Sequence, residues 1–115
     1  MVESVPRVKA NDTNYFIWHN WGSIHVNVYV TPSIGDVEIF MNSYETDIIG
    51  EAYSHLPVSE AEATWSSRRE RSRNKLEINV SKSDKEKDRC VVCYFLVGIR
   101  NMKATSYEVT ITTTP

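Results

Sequence analysis

The sequence predicts an all-β fold, an antiparallel β-sandwich or jelly roll of about seven to eight strands. Apolar and polar residues alternate with a period of two in several short segments. Turn-forming or charged stretches separate these segments, and no helical periodicity extends beyond about one turn. These observations are typical of two packed antiparallel sheets.

The alternation places the strands in chain order. A first strand is expected over 14–18 and a second over 24–30, followed by a turn cluster at 31–36 and a strand over 37–41. The second and third strands are predicted to pair as a hairpin. Further strands are expected over 64–66, 76–80, 90–99 and 106–112. The run 90–99 is apolar on both faces, which predicts a central strand.

The core and the loops follow from the same pattern. The connection over 42–63 is polar and aperiodic, and 81–89 is almost wholly charged, so both are predicted to be loops. The residues expected to carry the core are Val26, Val28, Ile39, Trp65, Leu76, Ile78, Tyr94, Leu96, Tyr107 and Val109.

Length and charge limit the domain organisation and the partners. A chain of 115 residues has room for one domain, and we expect an N-terminal tail over 1–13, the sandwich over 14–112 and a linker stub over 113–115. A net charge of −2 argues against a strongly basic nucleic-acid-binding domain. No stretch approaches the roughly 18 apolar residues needed to enter a bilayer as a helix. The compartment is left open between extracellular and intracellular.

The sequence offers no motif for catalysis. It contains no nucleophile elbow, phosphate loop or paired metal-binding histidines, so no enzymatic activity and no cofactor is expected. Cys90 and Cys93 form a C-x-x-C pair that leads into a β-rich run rather than a helix. We interpret them as reduced structural thiols; a disulfide and a metal or redox role are the less favoured alternatives.

The order of the motifs resembles that of a known family. Tyr15-Phe16 open an aromatic strand, residues 35–40 fit the pattern G-D-x-(D/E)-Φ-(Y/F), and Trp65-Ser66-Ser67 follow. Residues 94–99 and 104–111 complete the likeness. Together they resemble the bacterial pre-peptidase C-terminal (PPC-like) domain and its eukaryotic and protist relatives.

The PPC-like resemblance implies a function for the domain. It implies a non-catalytic accessory module that mediates protein–protein interaction or positions a domain within a larger protein. Its partner would be another protein or another domain of the same chain. Some related collagen-binding domains carry calcium, and Asp36 and Glu38 are the weak candidate ligands here, with Glu38 at the position of the family's second Asp.

Two further surfaces are candidates for binding. Trp21 belongs to the dense Trp18–Trp21 cluster and could bind a carbohydrate or the extracellular matrix. We favour the alternative that Trp18 belongs to the core and Trp21 caps the turn into the next strand. The cations of a basic segment could bind a phosphate, a sulfate or an acidic peptide; they are Arg68, Arg69, Arg71, Arg73 and Lys75. The favoured alternative is that they balance Glu60 and Glu62 as solvated pairs.

Overall fold

The computed structural model describes residues 1–57 and 59–115. Within this part, the strands are β1 (Val2–Val8), β2 (Thr13–Trp21), β3 (His25–Pro32), β4 (Val37–Tyr44), β5 (Trp65–Ser66), β6 (Lys75–Asn79), β7 (Val92–Asn101) and β8 (Thr105–Thr114). The helical segments are α1 (Ile49–Ala52) and the 3₁₀ turns Tyr53–His55, Val80–Lys82 and Glu86–Arg89. The all-β prediction is confirmed. Val58, within the predicted loop 42–63, lies outside the described residues, among which no helix is long and apolar enough to span a membrane.

The strands form two four-stranded antiparallel sheets that pack face to face. Sheet A has the order β1-β8-β3-β6 and sheet B the order β2-β7-β4-β5. The strands pair from the two ends of the chain inward: β1 with β8, β2 with β7, β3 with β6 and β4 with β5. The chain therefore wraps around the core as one long folded hairpin. This is the arrangement of a jelly roll. β7 lies between β2 and β4, so the prediction of a central strand is confirmed.

The predicted hairpin of β3 and β4 is wrong. β3 pairs with β6 and β8 in sheet A, whereas β4 pairs with β5 and β7 in sheet B. The turn between them therefore crosses from one sheet to the other, and Gly35 takes a left-handed conformation there (φ 71°). The error has a physical reason: a period of two identifies a strand and its apolar face but not the neighbour that shares its hydrogen bonds.

The N-terminal segment is part of the sandwich rather than the predicted tail over 1–13. β1 pairs with β8 along the edge of sheet A, and the Met1 amino group donates a hydrogen bond to the Ile111 carbonyl oxygen (2.8 Å). β8 likewise continues to Thr114, into the stub predicted over 113–115. An edge strand is held by backbone hydrogen bonds and buries few side chains, so its polar composition conceals it.

The core between the sheets contains most of the predicted residues. They are Val26, Val28, Ile39, Trp65, Leu76, Ile78, Tyr107 and Val109. β7 contributes Cys93, Phe95, Val97 and Ile99 to this core, not the predicted Tyr94 and Leu96. Tyr94 is only half-buried, and Leu96 is fully buried outside the inter-sheet cluster. Both faces of β7 are apolar, so alternation alone could not decide which face pointed inward.

The cysteines are free thiols. Cys93 lies in β7 and its thiol donates to the carbonyl oxygen of Cys90 (3.1 Å), while burial raises the pKa of the Cys93 thiol. Cys90 precedes β7 and packs against the same core as Cys93.

Candidate functional site

The outer face of sheet B is partly covered by the long connection between β4 and β5. Phe40 and Leu96 are fully buried on this face, although they do not belong to the core between the sheets. Asn42 fixes the connection at two points: its amide donates to the His55 carbonyl oxygen (3.0 Å), and its Oδ1 accepts from the Thr64 N–H (2.7 Å). The connection thus forms a third layer over the middle of the sheet.

Gly98 in β7 makes the close approach of this layer possible. A Cβ atom at this position would lie 3.0 Å from the carbonyl oxygen of Pro57 and 3.0 Å from the ring of Tyr15. Burial is the larger cause of the raised pKa of the Tyr15 hydroxyl, and the nearby Glu62 carboxylate raises that pKa further. The connection therefore packs directly on the strand backbone at Gly98.

A line of aromatic side chains crosses the uncovered end of the same face, and we call it the aromatic row: Trp21, His19, Tyr94, Tyr44 and His55. Cross-strand register aligns His19 of β2 with Tyr94 of β7, and Tyr94 with Tyr44 of β4. Ring centroids are 4.2 Å apart for Trp21 and His19 and 4.8 Å apart for His19 and Tyr94. Tyr44 and His55 stack at 3.7 Å.

The two ends of the aromatic row are open to solvent. Trp21 is 80% exposed although one part of its ring contacts His19, and His55 is exposed beyond its stack with Tyr44. Trp18, three residues before Trp21 in β2, faces the opposite way and packs on Phe95 with the ring centroids 5.6 Å apart. The structure therefore separates the two tryptophans: Trp18 supports the core and Trp21 is presented at the surface.

A cavity of about 400 Å³ adjoins the His55 end of the aromatic row. Tyr44 and His55 form part of its wall, together with carboxylate side chains. These carboxylates belong to Glu45, Glu62 and Asp88, and Asn42, Ser43 and Thr64 complete the described lining. The site thus combines stacked rings with acidic groups.

The cations of the basic segment make separate local contacts. Arg68 Nε lies 3.8 Å from a Glu60 carboxylate oxygen, and Lys75 Nζ lies 3.4 Å from a carboxylate oxygen of Glu77. The Arg69 guanidinium donates to the carbonyl oxygen of Ala63 and to the hydroxyl of Ser66. Arg71 and Arg73 are exposed and form no ion pair within the described part of the chain.

Asp36 and Glu38 have protein partners. Asp36 Oδ1 accepts a hydrogen bond from the Asn74 amide (3.3 Å), and a Glu38 carboxylate oxygen lies 3.8 Å from the Arg100 guanidinium. Across residues 1–57 and 59–115, no group of three or more His, Cys, Asp or Glu side chains could hold a metal ion. Neither residue is therefore placed in a cation site.

Sequence reasoning identified one end of the aromatic row, where Trp21 was the candidate and His19 lies in the same local cluster. Tyr94, Tyr44 and His55 come from β7, β4 and the β4–β5 connection, and only the fold brings them beside that cluster. The one available signal was the side-chain alternation of β7, which places Tyr94 opposite to Phe95. No protein-family model matches the chain, and no curated protein matches it.

Proposed function

We propose that this protein is a non-catalytic binding domain whose ligand lies along the aromatic row. The observation that carries the proposal is a row of two ring groups, Trp21–His19–Tyr94 and Tyr44–His55, which cross-strand register aligns on three neighbouring strands and which is open at both ends. Rings fixed on a rigid sheet lose little conformational entropy when a ligand binds. Such a surface favours binding over bond-breaking chemistry, which requires positioned acid, base or nucleophilic groups.

The ligand class that the aromatic row fits best is a carbohydrate. Sugar rings present apolar faces that pack on aromatic rings, and the polar edges of histidine and tyrosine can exchange hydrogen bonds with hydroxyls. The row spans β2, β7 and β4, a width of about 10 Å at the usual strand spacing, and extends further at Trp21 and His55. An oligosaccharide of several units would contact both open ends.

A second candidate is docking onto a partner protein, the function that the PPC-like resemblance implies. The favouring observation is that Trp21 and Val92, which are register partners on β2 and β7, are 80% and 50% exposed. An exposed tryptophan beside an aliphatic side chain is typical of an interface anchor. The partner would then be another protein or another domain of a larger protein.

The first test compares glycan binding by the wild type, Trp21→Ala and Tyr29→Ala. Tyr29 is a matched control because it is an exposed aromatic residue, but it lies on β3, on the outer face of sheet A. We expect an oligosaccharide identified on a glycan array to bind the wild type and Tyr29→Ala alike in calorimetry. Trp21→Ala should bind it about tenfold less tightly, the effect of losing one stacking contact.

The binding measurements on these variants distinguish glycan binding from protein docking. Equal glycan binding by Trp21→Ala and the wild type would contradict the aromatic row as the site. The absence of any glycan ligand, together with a protein partner that is lost in Trp21→Ala and kept in Tyr29→Ala, would make protein docking the function. Matching thermal melts of all variants would show that the substitutions leave the fold intact.

A further inference from the structure

The edge strands of the two sheets differ in how well they are protected against pairing with another chain. β5 has two residues, and β6 has five, of which Lys75 and Glu77 are charged. β1 contains Pro6, and its register with β8 shifts between Val5 and Val8. Short length, charge, proline and irregular register are features by which edge strands avoid pairing with a further strand. These three edges are therefore poor partners for another chain.

β2, the remaining edge strand, has none of these protective features. It extends over nine residues without an aspartate, glutamate, lysine, arginine or proline. Its register with β7 is regular along its whole length. Sheet B ends at β2, and no strand within residues 1–57 and 59–115 pairs with its outer edge. An edge of this length and composition favours the addition of a further strand.

The hydrogen bonds that flank β2 identify the backbone groups at its outer edge. The Gly22 N–H donates to the Val91 carbonyl oxygen (2.7 Å), and the Asn101 N–H donates to that of Asp12 (3.1 Å). Hydrogen-bonded and non-hydrogen-bonded pairs alternate in an antiparallel ladder, so the even-numbered residues of β2 bond to β7. The residues whose N–H and C=O groups point away from β7 are therefore Thr13, Tyr15, Ile17, His19 and Trp21.

The sequence of β2 is symmetric about Ile17 in the class of its side chains. On each side of Ile17 stand two residues with aromatic rings and then an asparagine. A two-fold contact between identical chains requires such a self-complementary surface. If Ile17 pairs antiparallel with Ile17 of a second copy, Phe16 lies opposite Trp18 and Tyr15 lies opposite His19. Aromatic side chains that lie opposite each other stabilise a strand pair.

An apolar groove of about 220 Å³ lies beside β2. Phe16 and Trp18 of sheet B line it together with Met1 and Ile111 of the sheet A side. The rings of Phe16 and Trp18 are only half-buried, although both pack against the core. A second copy paired at β2 would bring its own Phe16 and Trp18 beside them, and the four rings would together remove apolar surface from water.

We propose that β2 pairs antiparallel with β2 of a second copy of this chain, so that two copies of sheet B form one continuous sheet. The two-fold axis passes between the two Ile17 residues, and the odd-numbered residues of both strands exchange about ten backbone hydrogen bonds. On the outer face, Tyr15 of each copy lies opposite His19 of the other. Each copy thus adds a ring to the aromatic row of its partner.

Sedimentation velocity of the full chain tests this dimer. At micromolar concentrations we expect the wild type to form a species of twice the 13.2 kDa mass of the chain. Ile17→Lys brings two like charges together at the axis and should raise the dimer dissociation constant at least tenfold. Ile34→Lys is the matched control, because Ile34 is 58% exposed in the turn between β3 and β4. It should dimerise like the wild type.

A mixture of two variants shows whether Ile17 lies on the axis. Ile17→Lys and Ile17→Glu should each be monomeric alone and should form a dimer when mixed, because opposite charges then meet. Only a residue on the axis contacts its own counterpart in the second copy. Thermal melts check that both variants fold, which matters because Ile17 is half-buried.

A cross-linking variant serves if the charged variants do not fold. The Cα atoms of a hydrogen-bonded antiparallel pair lie about 5.5 Å apart, within the range that a disulfide spans. Mild oxidation should therefore link two chains of Ile17→Cys but not two chains of Ile34→Cys. The wild type, whose Cys90 and Cys93 are free thiols, gives the background.

Three results would overturn the proposal. The first is a wild type that stays monomeric together with an Ile17→Cys variant that does not cross-link. The second is a dimer that persists in Ile17→Lys and Ile17→Glu, because another surface would then hold it. The third is a monomer whose β2 edge binds an extended peptide of a different protein and loses it in Ile17→Lys. Glycan binding through Trp21 is measured separately, so the dimer and the proposed function can fail independently.

Discussion

The outer faces of the two sheets are built from the same alternating pattern but have different surroundings. The outer face of sheet A carries side chains such as Asn27, Thr31 and Thr112, and it is open to solvent. The outer face of sheet B carries Phe40 and Leu96, which are fully buried beneath the β4–β5 connection. An antiparallel sheet can leave one face in water, and here only sheet A does so.

This difference indicates where the binding function lies. A long connection that packs on a sheet can position side chains that the strands alone could not bring together. In sheet B the connection places His55 against Tyr44 and leaves the opposite end of the face to Trp21. The covered part of sheet B thus supports the site. Substitutions on the open outer face of sheet A provide the controls for substitutions on sheet B.

The largest expected effect is on stability, from shortening a buried side chain of sheet B. We expect Leu96→Ala to lower the free energy of unfolding by about 2 to 5 kcal/mol, because it removes a fully buried side chain and leaves a cavity. Thr110→Ala, on the outer face of sheet A, should change it by less than about 0.5 kcal/mol. Urea denaturation of both variants measures the two values.

The comparison of Leu96→Ala with Thr110→Ala tests whether the β4–β5 connection packs on sheet B as a third layer. If Leu96→Ala cost no more than Thr110→Ala, the connection would not pack on sheet B in solution, and the two outer faces would be equivalent. The site at the Tyr44–His55 end would then lose its support.

A smaller effect is expected from Gly98→Ala, which adds one methyl group between β7 and the connection. The new Cβ would lie 3.0 Å from the Pro57 carbonyl oxygen, so the connection must move outward, at a cost of about 1 to 3 kcal/mol. Gly50→Ala is the matched control, because a Cβ there meets no atom within 4 Å among the described residues. Since Gly50 lies in α1, alanine should instead stabilise it slightly.

Amide hydrogen exchange shows where the Gly98→Ala effect occurs. Faster exchange should be confined to the connection and to β7, with β8 and β3 of sheet A unchanged. Uniformly faster exchange over both sheets would contradict a local third layer on sheet B.

The sequence predicted the strands better than their partners. The alternation in β3, β6 and β8 identified both the strands and their buried residues, since each has one apolar face. It could not show that β3 and β4 lie in different sheets, because pairing depends on contacts between residues distant in sequence. Topology therefore had to come from the structure.

The candidate site was predicted only in part for a related reason. β7 is apolar on both faces, so the choice between Leu96 and Phe95 as the core residue depended on what covers each face of sheet B. The cover is the β4–β5 connection, whose polar composition gives no sign that Ala52 and Pro57 become buried. Trp21 could be predicted as a candidate because it stands in a local cluster, whereas the association of Tyr44 with His55 required the fold.

The smallest expected effect concerns the basic segment, which joins β5 of sheet B to β6 of sheet A. Arg68 and Arg69 contact Glu60 and Ala63, so the cations left for an external anion are Arg71 and Arg73 among the described residues. We expect the double variant Arg71→Ala/Arg73→Ala to weaken heparin binding by about fivefold, because an exposed ion pair contributes about 0.5 kcal/mol in the middle of its usual range, and two such pairs contribute about 1 kcal/mol.

Salt dependence and a charge-matched variant decide whether this segment is a polyanion site. Lys82→Ala/Lys85→Ala removes the same charge from the other charged loop, and it should weaken heparin binding about as much if only net charge matters. A loss above tenfold for Arg71→Ala/Arg73→Ala alone, steeply reduced by salt, would establish the segment as a specific site. Equal, salt-insensitive binding by the wild type and both variants would remove it as a binding surface and leave the outer face of sheet B as the candidate.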